Sequence, residues 1–271
     1  TRYLALYGEN NFTFKGAVDS HGKPATELLR HNPKAFDDRG LPSIMAFENC
    51  DNITIKNFIF DNHPNYCTSG EVVEVGNDQV IVDIFEGLPV VDGMPCYTAN
   101  AWDLEKGRLK KVPSLTYGTS PANWKKIEGG EGRRMRIDGV DFAQYLNVGD
   151  GISWHFGANG AKQVLFEECR NINLENLWIQ NISGFGIESK MCTNIYGKNV
   201  VFKSEGNQLP VGPRDAWKLA WNDGEVIIRD SHFEGVRWDG QNAHGTFLNY
   251  LESIDEYTAL FTKEGSSMPK L

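Results

Sequence analysis

A short pattern of alternating apolar residues recurs along the chain and limits the folds that the chain can adopt. It begins with a polar residue, continues with apolar residues at every second position, and has Asn or Asp in its middle. Because neighbouring side chains of a strand point to opposite faces, each half of the pattern predicts a short strand with one apolar face. Copies lie at residues 52–60, 171–179 and 194–202, with a looser copy at 225–233 and half a copy at 11–16.

The central Asn or Asp predicts a bend between the two short strands, because its side chain can bond nearby backbone and it tolerates left-handed conformations. Successive copies from residue 171 onward start 23 and 31 residues apart, which leaves no room for helical crossovers. One such coil cannot bury its apolar side alone, but stacked coils can. The sequence therefore predicts an all-β chain whose main body is a parallel β-helix, a solenoid of stacked coils.

The pattern is lost between residues 66 and 130. There the segment 70–87, GEVVEVGNDQVIVDIFEG, predicts two antiparallel strands joined by a turn at residues 76–78. We expect residues 66–130 to form a small inserted antiparallel β domain, barrel-like, and residues 1–65 and 131–271 to form the β-helix. One short helix or a loop is expected over residues 24–38.

Composition excludes several classes of protein. The net charge of −9 argues against nucleic acid as a partner, since phosphate binding needs a basic surface. The sequence contains no run of 18 apolar residues, so it predicts no membrane span. The five cysteines form no CxxC pair, which disfavours a zinc site. We expect no metal and no cofactor, while an oligomer stays open. The opening residues read like the middle of a strand, so we expect a longer protein.

Two aspartates are the candidate catalytic residues. Asp215 and Asp239 are 24 residues apart, about one coil, which predicts that they stand on neighbouring coils. Adjacent strands are about 4.8 Å apart, so the carboxyl groups are expected roughly 5 to 9 Å apart, a range that covers both geometries of glycoside hydrolysis. The pattern does not decide which of the two is the acid and which is the base.

Aromatic and polar residues surround these aspartates in the sequence. An aromatic ring beside a carboxylate suits a sugar site, because the ring can stack on the apolar face of a pyranose. Many of these polar residues are also common turn formers, and Asp150, between two glycines, is as readily a turn former as a third carboxylate of the site. The candidate substrate-binding residues are Arg214, Trp217, Trp238, Asn242, His244 and Asp150.

The order of motifs resembles the exo-acting α-1,3-galactosidases built on a right-handed β-helix, which remove terminal α-linked galactose, as from the blood-group B antigen. The resemblance extends from about residue 5 to residue 250. Its last motif, at residues 238–245, is the most specific. The other matching segments are 48–62, the inserted domain, 149–154, 167–189 and the pair Asp215 and Trp217.

The resemblance implies a metal-independent, inverting glycoside hydrolase with Asp215 and Asp239 as its catalytic carboxylates. It also implies a carbohydrate partner and a secreted or periplasmic bacterial location. The chain departs from the family at Trp238, where the family has an Asp. By the same resemblance Asn242 and His244 hold the turn or touch sugar hydroxyls.

Two other functions fit the same sequence. The chain would be a non-catalytic glycan-binding β-helix if the Trp at position 238 means that catalytic activity has been lost. A polysaccharide lyase on the same fold would need a basic proton abstractor and usually calcium, and the acidic net charge disfavours it.

Overall fold

The computed structural model describes residues 2–31, 42–94, 96–120, 123–138, 140–156, 162–245 and 248–263. These residues form strands, numbered β1 to β23 along the chain, and two short turns of 3-10 helix at Gly130–Gly132 and Asp141–Tyr145. The prediction of an all-β chain with parallel sheets is confirmed.

One parallel sheet has six strands. Each strand is paired with the strand that precedes it in the sheet, and the order follows the order of the chain. The strands are β1 (Arg2–Tyr7), β4 (Ser43–Glu48), β14 (Lys162–Glu167), β16 (Phe185–Lys190), β18 (Trp217–Ala220) and β21 (Gln241–His244).

A second parallel sheet contains the repeats that were found in the sequence. Its path is β2-β5-β15-β17-β19, while β3 pairs with β5 and β20 pairs with β17. The strands are β2 (Asn10–Lys15), β3 (Thr26–His31), β5 (Asp51–His63), β15 (Arg170–Ile179), β17 (Thr193–Phe202), β19 (Asp223–Arg229) and β20 (His232–Phe233). From β14 onward the chain alternates between the two parallel sheets. Each passage adds one strand to each sheet, except that the passage that contains β18 adds both β19 and β20 to the second sheet.

Asparagine side chains hold the repeats in register. Asn171 Nδ2 donates to Asp51 Oδ1 at 2.9 Å, and Asn194 Nδ2 donates to Asn171 Oδ1 at 3.1 Å. A second ladder runs through the central bend, where Asn176 Nδ2 donates to Asn57 Oδ1 at 2.9 Å. Asn57 and Asn176 have φ of 64° and 54°, the left-handed region expected for the bend. Asn171 and Asn194, the first residues of their copies, are left-handed too, which the sequence pattern did not predict.

The main core lies between the two parallel sheets, where equivalent side chains of successive passages meet. Phe47 and Phe166 stack with ring centroids 5.1 Å apart. The cysteines that precede the repeats, Cys50, Cys169 and Cys192, are buried with free thiols. This inward stacking supplies the apolar contacts that a single passage would lack.

An eight-stranded antiparallel sheet follows β5. Its path is β10-β8-β13-β6-β7-β12-β11, with β9 paired to β8. The predicted turn at residues 76–78 joins β6 to β7, as expected. The strands are β6 (Cys67–Val75), β7 (Gln79–Ile84), β8 (Cys96–Asp103), β9 (Arg108–Leu109), β10 (Thr116–Ser120), β11 (Asn123–Lys126), β12 (Arg134–Asp138) and β13 (Gly151–His155).

This sheet extends beyond the expected insertion, because β12 and β13 lie after residue 130. Strand β13 pairs with β6 on one side and β8 on the other, and His155 lies opposite Cys67. The sheet has its own core, in which Trp124 and Trp154 meet edge to face with centroids 4.5 Å apart. A separate antiparallel hairpin consists of β22 (Leu248–Ser253) and β23 (Ala259–Lys263).

The expected helix or loop over residues 24–38 is wrong in its described part, because residues 26–31 form strand β3. The reason is tertiary. Arg30 is buried, donating from Nε to Asn62 Oδ1 at 2.6 Å and from Nη1 to the carbonyl of Pro42 at 2.7 Å. Pairing with β5 therefore overrides the local signal. Residues 32–38 lie outside the described residues.

Candidate active site on neighbouring parallel strands

Asp215 and Asp239 each lie two residues before one of two adjacent strands, as the 24-residue spacing predicted. Trp217, the first residue of β18, is in register with Gln241, the first residue of β21. The N–H of Ala216 donates to the carbonyl of Asp239 at 3.0 Å. The two aspartates are therefore neighbours across one strand spacing.

The two carboxyl groups have different surroundings. Asp215 is 2% exposed, and its Oδ1 has no hydrogen-bond partner among the described residues. Asp239 is exposed, and its Oδ2 accepts a hydrogen bond from Asn242 Nδ2 at 2.9 Å. One carboxyl group is thus shielded from water while its neighbour is solvated.

Burial raises the pKa of Asp215 above its ordinary value, and the negative charge of Asp239 raises it further. The backbone N–H of Asp239 donates to the Asp215 carboxylate and opposes the shift, as do the charges of Arg214 and Lys218. A raised pKa favours the protonated form, which is the form that a general acid needs.

Aromatic rings and guanidinium groups form the next layer. The Arg214 guanidinium carbon lies 4.5 Å from the ring centroid of Phe185 and 4.7 Å from that of Trp238. The Arg237 guanidinium carbon lies 5.2 Å from the Trp238 ring. Trp238 is 36% exposed, so part of its indole is open to a ligand. Such contacts hold both guanidinium groups beside the ring.

Arg237 also connects this layer to the antiparallel sheet. It is buried, and its Nε donates to Asn100 Oδ1 at 2.9 Å while Nη2 donates to Ser114 Oγ at 2.9 Å. Burial, aided by the charge of Arg237, lowers the pKa of His155 to about 3, so this imidazole is neutral at ordinary pH. Because Arg237 is bonded to Asn100 of β8 and lies against the Trp238 ring, the antiparallel sheet contributes to the position of Trp238.

A buried ion-pair cluster lies on the same strands. Glu188 accepts from Lys162 Nζ at 3.0 Å and from Lys218 Nζ at 3.2 Å. Burial alone would raise the pKa of Glu188, but the two ammonium groups outweigh burial and lower it. Lys218 Nζ also lies 4.8 Å from the Phe185 ring centroid. The ion-pair cluster therefore lies next to Phe185, whose ring also contacts Arg214.

The structure separates Trp217 from the predicted site. Trp217 is fully buried, packs against Phe202, and donates from Nε1 to Ser189 Oγ at 3.4 Å. Its side chain points into the core because β18 turns alternate residues inward, and the outward residue of the pair is Lys218. The expected stacking of a sugar on Trp217 is therefore corrected: this indole has no open face.

Two other predicted binding residues have different contacts. Asp150 accepts from the backbone N–H of Asn147 at 2.6 Å and pairs with Lys110, in the turn before β13. The exposed His244 meets the Trp221 ring edge to face, with centroids 5.5 Å apart. These contacts favour a structural role for both residues, while Asn242 and Arg214 lie in contact with the site itself.

Several site residues were not predicted from the sequence, namely Phe185, Glu188, Lys218 and Arg237. They come from three different passages of the chain, and only the strand register brings them together. Of these residues, Arg237 could have been found from the sequence, because it directly precedes Trp238, the first residue of the motif at 238–245.

No group of three or more His, Cys, Asp or Glu side chains within the described ranges is arranged to hold a metal ion. Nor does that part of the chain contain a helix with the length and apolar character needed to cross a membrane.

No family model matches the chain. It is similar to a protein named alpha-1,3-galactosidase A from Bacteroides thetaiotaomicron, with 24% identity over 78% of this chain and 39% of the relative. It is also similar to proteins named alpha-1,3-galactosidase B from Phocaeicola vulgatus, with 24% identity over 82% of this chain and 39% of the relative, and from Bacteroides fragilis, with 22% identity over 95% and 45%. The chain thus spans less than half the length of these distant relatives.

Proposed function

We propose that this chain carries a glycoside hydrolase site that acts on a terminal α-linked galactose or a related sugar. The observation that carries the proposal is the contrast between the two adjacent aspartates, a buried Asp215 with a raised pKa and an exposed Asp239. Two carboxyl groups whose environments separate their pKa values are the usual basis of an acid and base pair. The names of the distant relatives support the sugar class.

In the proposed mechanism Asp215 is the general acid and protonates the leaving glycosidic oxygen. Asp239, held by Asn242, is the base that activates water on the opposite side of the sugar. A metal-independent inverting reaction needs these two roles and no covalent intermediate. Trp238 is proposed to stack on the sugar ring, and Arg214 to hold that indole in place.

The proposal includes the fold and the setting of the protein. We propose that the two parallel sheets form a right-handed parallel β-helix. We also propose that the antiparallel sheet, which was expected at residues 66–130 and extends to His155, is an insertion into it. A secreted or periplasmic location in a bacterium is proposed because terminal sugars of large glycans are reached outside the cytoplasm. Fractionation of the source cells would test the location, and recovery of the protein only from the cytoplasm would contradict it.

The test is galactose release from α-1,3-linked oligosaccharides by the intact chain and by Asp215→Asn and Asp239→Asn. We expect each variant to lose about 100-fold or more in rate, the usual contribution of a general acid or base. Asp103→Asn is the matched control, because Asp103 is paired with Lys106 in a turn at the end of β8. Proton NMR of the first product should show the inverted anomer.

Equal activity in Asp215→Asn, Asp239→Asn and Asp103→Asn would contradict the assignment. Binding of α-galactosides without release by any form would favour a second function, glycan binding without cleavage. The observation that favours this alternative is the partly exposed Trp238 ring, bordered by two guanidinium groups.

A further inference from the structure

The outer face of the second parallel sheet carries a row of mostly basic side chains. Strand pairing aligns one residue from each of five neighbouring strands, β2, β5, β15, β17 and β19, in this row. The row points to solvent, because the alternate residues Ile55 and Leu174 point into the core. In spatial order its members, which we call the basic row, are Lys15, Lys56, Glu175, Lys198 and Arg229.

The charge of the basic row is opposite to that of the chain. Four cations and one carboxylate give the row a net positive charge, whereas the whole chain has a net charge of −9. All four cations except Lys56 are exposed, and none of the four has an ion pair with a carboxylate of the described residues. By contrast, the exposed Lys106 and Lys125 are each paired with an aspartate. The cations of the row are therefore available to an anionic ligand.

An open groove lies along one end of the basic row. Its volume is about 450 Å³, and its lining includes Asn173, Tyr196 and Ile227 together with the last three members of the row. Strand pairing places Tyr196 between Asn173 and Ile227. The hydroxyl group of Tyr196 donates to Glu225 Oε2 at 3.2 Å. The groove thus combines an aromatic ring, an amide and two cations on one face of the sheet.

We propose that this groove and the basic row bind an anionic polysaccharide, a glycan that carries sulfate or carboxylate groups. The ring of Tyr196 can stack on the apolar face of a pyranose, and the amide of Asn173 can bond hydroxyl groups. Sulfate and carboxylate oxygens accept strong hydrogen bonds from Lys and Arg side chains. Because neighbouring strands are about 4.8 Å apart, anionic groups that recur along a glycan can meet different cations of the row.

The single carboxylate of the row favours a glycan over a nucleic acid. Glu175 lies between Lys56 and Lys198, where it would repel a phosphate but accept hydrogen bonds from the hydroxyl groups of an uncharged sugar. A glycan with anionic groups on only some of its sugars can meet both kinds of group. A nucleic acid has a phosphate at every nucleotide and would also be repelled by the acidic chain.

The groove is separate from the candidate active site. Asp215 and Asp239 precede β18 and β21 of the first parallel sheet, whereas the groove lies on the second parallel sheet. Binding at the groove does not depend on hydrolysis. If the proposed hydrolase is correct, the groove would keep a long glycan bound while its terminal sugars are removed.

Binding of the full chain to immobilised dextran sulfate and polygalacturonate tests the proposal, with uncharged dextran as the reference. The double variant Lys198→Gln, Arg229→Gln should bind about tenfold more weakly, because each contact between exposed opposite charges is worth up to about fivefold. The matched control is Lys106→Gln, Lys125→Gln, which removes the same charge from exposed lysines outside the groove. It should bind like the unmodified chain.

A second variant predicts a change in the opposite direction. Glu175→Gln keeps an acceptor but removes the repelling charge, so it should bind about threefold more tightly. Circular dichroism would confirm that each variant is folded. A preference for dextran sulfate or for polygalacturonate would support the site and identify its anionic group as sulfate or carboxylate.

Three results would overturn the proposal. They are binding no tighter than to dextran, equal affinity in the groove double variant and its control, and tighter binding of a DNA duplex than of either polysaccharide. Because these measurements need no cleavage, loss of the groove proposal leaves the proposed hydrolase untouched, and failure of hydrolysis leaves the groove untouched.

Discussion

The indole of Trp217 lies so close to Gly197 across the core that a Cβ built on Gly197 would approach the ring atom Cη2 to 2.8 Å. Gly197 occupies the repeat position that is Leu174 in the neighbouring strand. A small residue on β17 thus makes room for a large one on β18, and the strand that begins at Trp217 is anchored directly after Asp215.

We therefore expect Gly197→Ala to destabilise the chain by about 1–3 kcal/mol, the usual cost of overpacking a core. Urea denaturation would measure the change. Gly245→Ala is a suitable control, because a Cβ there meets no atom within 4 Å. Combining Gly197→Ala with Trp217→Phe should recover part of the loss, and a neutral Gly197→Ala would refute the steric argument.

Asn171→Ala should cost about 2–3 kcal/mol of unfolding free energy, from two lost side-chain hydrogen bonds and left-handed strain. Asn171 bonds both Asp51 and Asn194, and its φ is 53°. Asn171→Gly removes the same bonds but accepts the backbone conformation, so it should cost less. If Ala and Gly prove equally destabilising, the strain contribution is absent.

The pH dependence of stability should reveal the buried Asp215. Because its pKa is raised on folding, the folded chain holds this proton more tightly than the unfolded chain. The stabilisation that comes from this tighter proton binding is fully present at pH values below the pKa of Asp215 in the unfolded chain. It is lost as the pH rises through the pKa of Asp215 in the folded chain. Asp215→Asn should therefore be at least as stable as the unmodified chain at neutral pH, with the advantage disappearing near about pH 4.

Asp103 should show the opposite pH dependence of stability in the same experiment. Hydrogen bonds from Lys106 lower the pKa of Asp103, so Asp103→Asn should lose stability at neutral pH and match the unmodified chain in acid. Urea denaturation at both pH values measures each variant. A strong loss of neutral stability in Asp215→Asn would show that its carboxylate is stabilised in the fold and is no candidate for the acid.

Trp238→Asp should slow the release of α-linked galactose, because it removes the partly exposed ring that is proposed to stack on the sugar. The guanidinium groups of Arg214 and Arg237, now 4.7 and 5.2 Å from the ring, would pair with the new carboxylate. Trp238→Phe, which keeps an aromatic surface, is the matched control and should leave the sugar preference unchanged. The prediction fails if a folded Trp238→Asp releases galactose as fast as Trp238→Phe.

Much of the parallel architecture could be predicted, because the pattern around Asn52, Asn171 and Asn194 specifies both the strands and their equivalence. The proximity of Asp215 and Asp239 followed from the same spacing. The inward direction of Trp217 could not be predicted, since it depends on space that Gly197 leaves on another strand. Phe185 and Arg237 were missed because they join the site only through tertiary pairing, and strand β3 forms only because β5 lies beside it.

The pairing of Cys67 with His155 has a consequence for how the chain folds. Ile53 and Ile172 must meet across 119 residues, whereas Ile172 and Ile195 are only 23 apart. Closing the longer loop costs about 1.5 kcal/mol more in chain entropy. Once β6 and β13 have paired, the two ends of the long segment are already adjacent, and most of that extra entropy has been lost before β15 reaches β5.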